Sequence, residues 1–427
     1  MRTLKRISMG LSVMALSLYG TSAMANGEPE AKGPDNGPVA SNIEKVKDLR
    51  VVSDSKKIVV TGAVNRAEVW LDNGKHSNTS NVDNYNYPSR LNLTGTGQFN
   101  EDITVGGTFE LGFYQNSSLK NDVHHAQSNT ESESNFPVRI AELFVNSFDW
   151  GKLSLGRGYM AAAFTAEETD LSGTRVISAG ANVWRLAPGA SFFNKTSDSN
   201  GQYFVYSNDR LNGVFAFVDS YHRHDRVRYD TPKYYGFMLS GSHGYQSSGD
   251  IFDIAGRFAG KFFGIKVAAD VAFEHDHSIE DFHYRQFNGS IGVLFPLSTS
   301  GKENTGINLF FAAAHKDWEF PGQSDGKFLS GKIGYIDRFF SFGNTAFAAD
   351  YAWSKGMNLA CSDDDVTVID PAFTYKGTAW GVFLVQTIDV VATEVYLGYR
   401  EYKLKKINSI MRFDELQAVM AGARVKL

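Results

Sequence analysis

The chain has 427 residues, 42 Lys and Arg against 47 Asp and Glu, a formal net charge of -5, 41 glycines, 10 prolines and one cysteine. The acidic balance excludes a nucleic-acid surface built on charge, and a lone Cys361 excludes an intrachain disulfide framework. No run of ~18 apolar residues follows the N-terminal segment, which excludes a membrane-spanning helix there.

Residues 1–25 read as an export signal. Arg2, Lys5 and Arg6 precede an apolar run from Ile7 to Leu18, and Ala23-Met24-Ala25 has the small-x-small form of a cleavage site. Cleavage there would remove three cations and no acid, moving the net charge from -5 to -8. Residues 26–56 are polar, and Ile43, Val46 and Leu49 are spaced for one or two helical turns, too few to stand alone. This part is expected to be a periplasmic tail.

From residue 57 to 427 the pattern changes to period-2 segments separated by turn residues. Arg90 to Asn100 places Arg90, Asn92, Thr94, Thr96 and Gln98 on one face and Leu91, Leu93, Gly95, Gly97 and Phe99 on the other. Asn100-Glu101-Asp102 turns into Ile103–Tyr114, and a long polar stretch follows to Asn135. Alternation of short turns with long loops is the asymmetry of a membrane β-barrel. Further strands are predicted at 136–148, 152–156, 225–230, 234–245, 250–261, 264–274, 282–294, 306–316, 327–339, 345–353, 378–388, 392–403 and 415–427. With the first strand from Ile58, the expectation is an all-β, antiparallel barrel of about sixteen strands whose last strand closes on the first. The Cys361-Ser-Asp-Asp-Asp stretch reads as a loop with no assigned chemistry.

Between Lys152–Gly156 and Arg226–Asp230 lies a segment, 159–222, with no strand period and far longer than an ordinary connection. Glu167, Glu168 and Asp170 open it, and Arg157, Arg223, Arg226 and Arg228 border it. Folded inward, it would set carboxylates against guanidinium groups across a narrow bore; folded outward, it would be an Ω-loop with solvated charges. Periodicity alone admits both. Alternation turns Arg90 inward, where it avoids a lipid-facing cost of ~2–4 kcal/mol, and gives Arg226 and Arg228 one shared face. It turns Arg157 outward unless the strand bends.

Gly62-Ala63-Val64-Asn65-Arg66, Ser89-Arg90-Leu91, Gly151-Lys152-Leu153-Ser154-Leu155-Gly156-Arg157, Asp170-Leu171-Ser172-Gly173-Thr174, Asp225-Arg226-Val227-Arg228-Tyr229-Asp230 and the terminal Ala421 to Leu427 occur in that order. With these pieces the chain resembles the Gram-negative trimeric general porins. The resemblance implies a sixteen-stranded outer-membrane barrel whose third external loop narrows the bore, passing ions and small hydrophilic solutes by size and charge. It implies a basic wall of Arg66, Arg90, Arg157, Arg226 and Arg228 opposite Glu167, Glu168 and Asp170. It also implies a homotrimer in contact with outer-membrane lipid and lipopolysaccharide, with no cofactor and no metal. Leu427 stands where the family usually ends in an aromatic residue, and the insert is longer than usual, with 202–217 readable as an added hairpin.

Of three rival readings, the enzyme is set aside and the other two stay open. A barrel enzyme would draw on Ser220, His222, His224 and Asp225, or on His275, Asp276 and His277, although these cannot be arranged into one acid-base set from sequence. A sugar or anion channel would use Trp184, Phe192, Phe193, Tyr203 and Phe204. A surface adhesin would act through its loops, with Asp363 to Asp365 as a calcium candidate of poor ligand spacing.

Overall fold

The structure is a computed structural model that describes residues 49–53, 56–123, 136–196, 210–216, 218–219, 223–246, 249–278, 283–297, 304–320, 322–362, 365–368 and 373–427. The expected signal at 1–25 and most of the expected tail at 26–56 lie outside them. Leu49 belongs to a short strand paired with the start of the next one, where its spacing had suggested a helical turn.

The strands are β1 (Leu49–Ser53), β2 (Lys56–Asp72), β3 (Ser77–Asp83), β4 (Arg90–Gln98), β5 (Ile103–Gly112), β6 (Val138–Ser147), β7 (Gly151–Tyr159), β8 (Arg223–Asp230), β9 (Phe237–Gln246), β10 (Gly249–Phe262), β11 (Ile265–Asp276), β12 (Tyr284–Phe295), β13 (Gly306–Trp318), β14 (Gly326–Phe340), β15 (Gly343–Lys355), β16 (Leu359–Ser362), β17 (Asp365–Val368), β18 (Thr374–Ile388), β19 (Thr393–Ile407) and β20 (Leu416–Lys426). Sixteen of them, β2, β4 through β15, and β18 through β20, pair antiparallel in sequence order. β20 returns to β2 from Ala63↔Lys426 to Asp72↔Gln417, which closes the ring. A closed ring leaves no backbone edge to be buried unsatisfied in lipid.

β2 is long enough to serve two neighbours on one side. Its first half pairs with β4, its second half with β3, a strand the sequence reading missed. Cys361 lies in the small β16–β17 hairpin rather than in a loop.

One end of the barrel closes in short turns such as 98–103, 147–151, 262–265 and 340–343. The other carries most of the longer connections, with the two-residue link between β9 and β10 as an exception. Local chemistry explains the first turn. The Asn100 side chain accepts the amides of Asp102 and Ile103 at 2.9 and 2.6 Å, an Asx turn. Asp102 in turn accepts the Ser147 hydroxyl at 2.8 Å and the Phe148 amide at 2.7 Å, tying this turn to the next.

The outer face is apolar. Leu91, Leu93, Phe109, Leu143, Leu153, Leu155, Val271, Ile333 and Val382 are exposed along it, a surface far larger than a soluble protein leaves to water. Phe99, Phe148, Trp150, Tyr234, Tyr235 and Phe263 crowd the short-turn end as an interfacial girdle. The buried apolar core is on the inside, where β-strand residues such as Phe310, Phe328, Tyr375 and Tyr402 pack against Ile177, Trp184, Leu186 and Phe215 of the insert.

Candidate functional site: the in-folded insert

The described part of the insert is inside the barrel. It leaves β7 at Tyr159 and is held at once by arginines of the neighbouring wall. Arg226 donates to the Tyr159 carbonyl at 3.0 Å, Arg228 to the Met160 carbonyl at 2.9 Å, and Arg257 to those of Ala161 and Ala163 at 2.8 and 2.7 Å. The amide of Ala162 points back to Asp253 of β10 at 2.7 Å. Successive carbonyls of a segment without secondary structure lack internal partners, and the wall supplies them.

The segment then runs past β12, where Thr169 donates to Ser290 at 2.7 Å. A Cβ on Gly292 would lie 1.6 Å from the Thr169 carbonyl, so only glycine admits this approach. On the far wall the contacts become ionic and dry. Lys332 of β14 donates to Asp170 and to the Ser178 carbonyl, both at 2.7 Å, and both side chains of the Lys332–Asp170 pair are 0% exposed. Ser178 donates to Asp350 at 2.8 Å, and Arg400 of β19 donates to Asp350 at 2.6 Å and to Ser178 at 2.9 Å. Strand register explains this cluster: Lys332, Asp350, Gly381 and Arg400 are successive cross-strand partners. Tyr402 donates to the Val183 carbonyl at 2.8 Å, and Ser354 to that of Val214 at 2.8 Å.

The three acids expected in the constriction have different partners. Glu167 accepts from Arg185 of the insert itself at 3.0 Å and from Asn182. Asp170 is the far-wall anchor just described. Glu168 is buried and its Oε2 has no hydrogen-bond partner. Besides its burial, its charge is acted on by Arg257 and Arg228 of the wall and by Arg175 of the insert.

The arginines divide likewise. Arg90, Arg226 and Arg228 face inward. Arg90 stands 3.7 Å from Glu110 and over the Tyr87 ring at 4.6 Å; Arg226 bonds Glu142; Arg228 bonds Asp230 at 2.7 Å. Arg66 and Arg157 are corrections to the inward wall. Arg66 shares the outer face of β2 with Val64 and Glu68 and reaches Asn81 and the Gln115 carbonyl. Arg157 continues the outward row of Leu153 and Leu155 and donates to the Val138 carbonyl at 3.2 Å. Both are near the loop end, where a guanidinium can extend beyond the apolar belt, so the energetic objection to an outward arginine does not apply.

Inward charges absent from the sequence reading complete the wall. Arg139 occupies a bulge between β5 and β6 and joins Glu110, Tyr114 and Tyr159. Arg424 lies 4.1 Å from the Tyr87 ring centroid and bonds Glu394 at 2.6 Å, and Arg257 is the clamp described above. Strict alternation would have found Arg257 and Arg424; the bulge hid Arg139.

Among the described residues the rival sites do not assemble. Ser220, His222, Tyr203, Phe204, Asp363 and Asp364 lie outside the described residues. Asp276 is buried and accepts from Ser278, while His275 and His277 continue the outer face. Trp184 and Phe192 are buried within the insert's packing, and Asn212–Phe215, within the expected added hairpin, is a single helical turn.

Gram-negative porin is the family that matches, over residues 15–410. No curated protein matches. Among solved structures, the anion-selective porin of Comamonas acidovorans superposes with a TM-score of 0.55 at 13% identity, covering 87% of this chain and 100% of that one. OmpT of Vibrio cholerae gives 0.54 at 12% identity, covering 90% and 100%. Salmonella typhi OmpF, in complex with daunomycin, gives 0.52 at 15% identity, covering 89% and 100%. With the closed sixteen-stranded ring and the family match together, the chain belongs to the Gram-negative porin family and is an outer-membrane channel.

Proposed function

We propose that the channel passes ions and small hydrophilic solutes by diffusion and selects among them by size and charge where the insert narrows the bore. The observation that carries this is the asymmetry inside the barrel. The insert is sealed against β14–β19, while Arg90, Lys152 and Arg228 on the opposite side keep 18, 25 and 16% of their side-chain surface exposed inside the ring. Opposed fixed charges along such a passage make a transverse field that favours charged and dipolar solutes over apolar ones. Glu168 opposite Arg228 and Arg257 is the acid of this constriction; Glu167 and Asp170 shape the insert that carries it.

Single-channel recording in planar bilayers under a salt gradient tests the assignment. Glu168→Gln should move the reversal potential toward anion preference and Arg228→Gln toward cation preference. Unchanged selectivity in both would remove these side chains from the ion path.

The protein acts as a channel rather than an enzyme. We further propose a homotrimer embedded in outer-membrane lipid and lipopolysaccharide, supported by the trimer form in which OmpT of Vibrio cholerae has been solved. Mass measurement of the detergent-extracted protein tests it, and a lone protomer at all concentrations would refute it.

A further inference from the structure

A group of histidines and carboxylates lies outside the bore, at the loop end of β9 to β13, and the channel does not use it. Register builds it. His243, Phe252, His275, Arg285 and Asp317 are successive cross-strand partners on the outer face. One step further toward the rim, the His277 amide bonds the Asp250 carbonyl and the Glu319 amide bonds the His283 carbonyl, both at 2.9 Å, which aligns a second row of Asp250, His277, His283 and Glu319.

We propose that His275, His277 and Glu319 form a binding site for a divalent transition ion of the Zn²⁺ type. One ligand atom from each lies within 4.8 Å of the other two. His275 Nε2 is 3.4 Å from Glu319 Oε1, and His277 Nε2 is 4.0 Å from Glu319 Oε2. Ligands held at ~2.0–2.2 Å around a tetrahedral zinc stand about 3.3–3.6 Å apart, so the His275 edge already has the right length and the His277 edge closes with a small side-chain movement. A second observation points to a ligand: the His275 Nε2 atom, on a side chain that is 29% exposed, is itself shielded from solvent and makes no hydrogen bond, although Glu319 Oε1 lies 3.4 Å away. The rings of His275 and His277 are 4.1 Å apart and those of His277 and His283 4.5 Å.

Arg285 Nη2 is 2.7 Å from Glu319 Oε1. It fixes the carboxylate with Oε1 toward His275 and Oε2 toward His277, the outer-shell role such partners have in metal sites. Two imidazoles with one carboxylate suit zinc, nickel or copper and not the all-oxygen preference of Mg²⁺ or Ca²⁺. The second grouping nearby, His315 with Asp317 and Asp325, is different: His315 Nε2 and Asp317 are already in direct contact at 2.7 Å, so it serves as an internal control.

The test is zinc titration of the full-length, tag-free protein folded in detergent near neutral pH, read by calorimetry and by competition with a chromogenic chelator. Wild type should bind one zinc per chain, unaffected by excess Mg²⁺. His277→Ala and Glu319→Gln should each weaken binding at least about tenfold, and His315→Ala should leave it unchanged, with SDS resistance before heating confirming that every variant is folded. Zinc binding that survives the His275→Ala, His277→Ala double variant, that is lost in His315→Ala, that yields to Mg²⁺, or that is absent from wild type would each overturn the proposal.

Discussion

Where the insert meets β14, β15 and β19 it is joined by fully buried ion pairs and apolar packing; where it departs from β7 it is held by arginines that bond its carbonyls, of which Arg226 and Arg257 are buried and Arg228 stays partly wet. Lys332–Asp170 and Arg400–Asp350 are at most 1% exposed, whereas Arg228 and its partner Asp230 are 16 and 13% exposed. The first wall anchors the insert; the second supports it and also faces the passage. A buried pair whose remaining lone pairs find hydrogen bonds, as those of Asp170 do with the Ser172 and Gly180 amides, is strongly damaged by the loss of one member, while a partly exposed pair is softened by water.

The largest effect should therefore come from Lys332→Met, which leaves Asp170 buried and unpaired at a cost of about 3–5 kcal/mol. The thermal unfolding midpoint should fall and single-channel conductance should become larger and noisier as the insert lets go. Adding Asp170→Asn should recover part of the loss, and a Lys332→Met channel with wild-type stability and conductance would refute the anchor. Gly292→Ala comes next: its methyl must displace the Thr169 carbonyl, an overpacking cost of about 1–3 kcal/mol. Heat-modifiability on gels would show the lower midpoint, and conductance would report the displaced insert.

Arg228→Gln should cost less stability than Lys332→Met yet change selectivity more, because water can replace part of what it bonds. The reverse ranking in a melting and reversal-potential comparison would erase the distinction between the walls. A smaller effect concerns pH. Hydrogen bonds from the Ser147 hydroxyl and from the Phe148 and Asp149 amides hold the Asp102 carboxyl below its ordinary range. A depressed folded-state pKa contributes stability above the unfolded value, and that stability is lost as pH falls through the folded one. Acid unfolding of wild type should thus include a component that Asp102→Asn lacks. Smallest of all, Arg66→Gln and Arg157→Gln on the outer face should leave conductance and selectivity unchanged in the same bilayer assay.

Much of the barrel was legible because period 2 is a local property: Arg90 to Gln98 declares its faces without reference to any neighbour. The insert declared its length and not its partners. Asp170 and Lys332 are separated by 162 positions and meet only because the ring brings β14 opposite β7, so no spacing rule pairs them. Glu167 illustrates the same gap at short range, since Arg185 lies in a segment with no period from which a contact can be read. Arg66 was misplaced because its position was carried over by likeness, whereas the exposed Val64 two residues earlier marks its side of β2 as the outer one. Arg139 was missed because a bulge shifts the register by one at that point.

The seam between β2 and β20 bears on how the molecule is made. Its ten residue pairs join stretches more than three hundred positions apart, and bringing such distant ends together costs about 5 kcal/mol of chain entropy. Until they meet, both strands present unpaired amides and carbonyls that hydrocarbon cannot solvate. Insertion and zipping must therefore be concerted, or a helper must cover the two raw margins while the cylinder is still a curled ribbon.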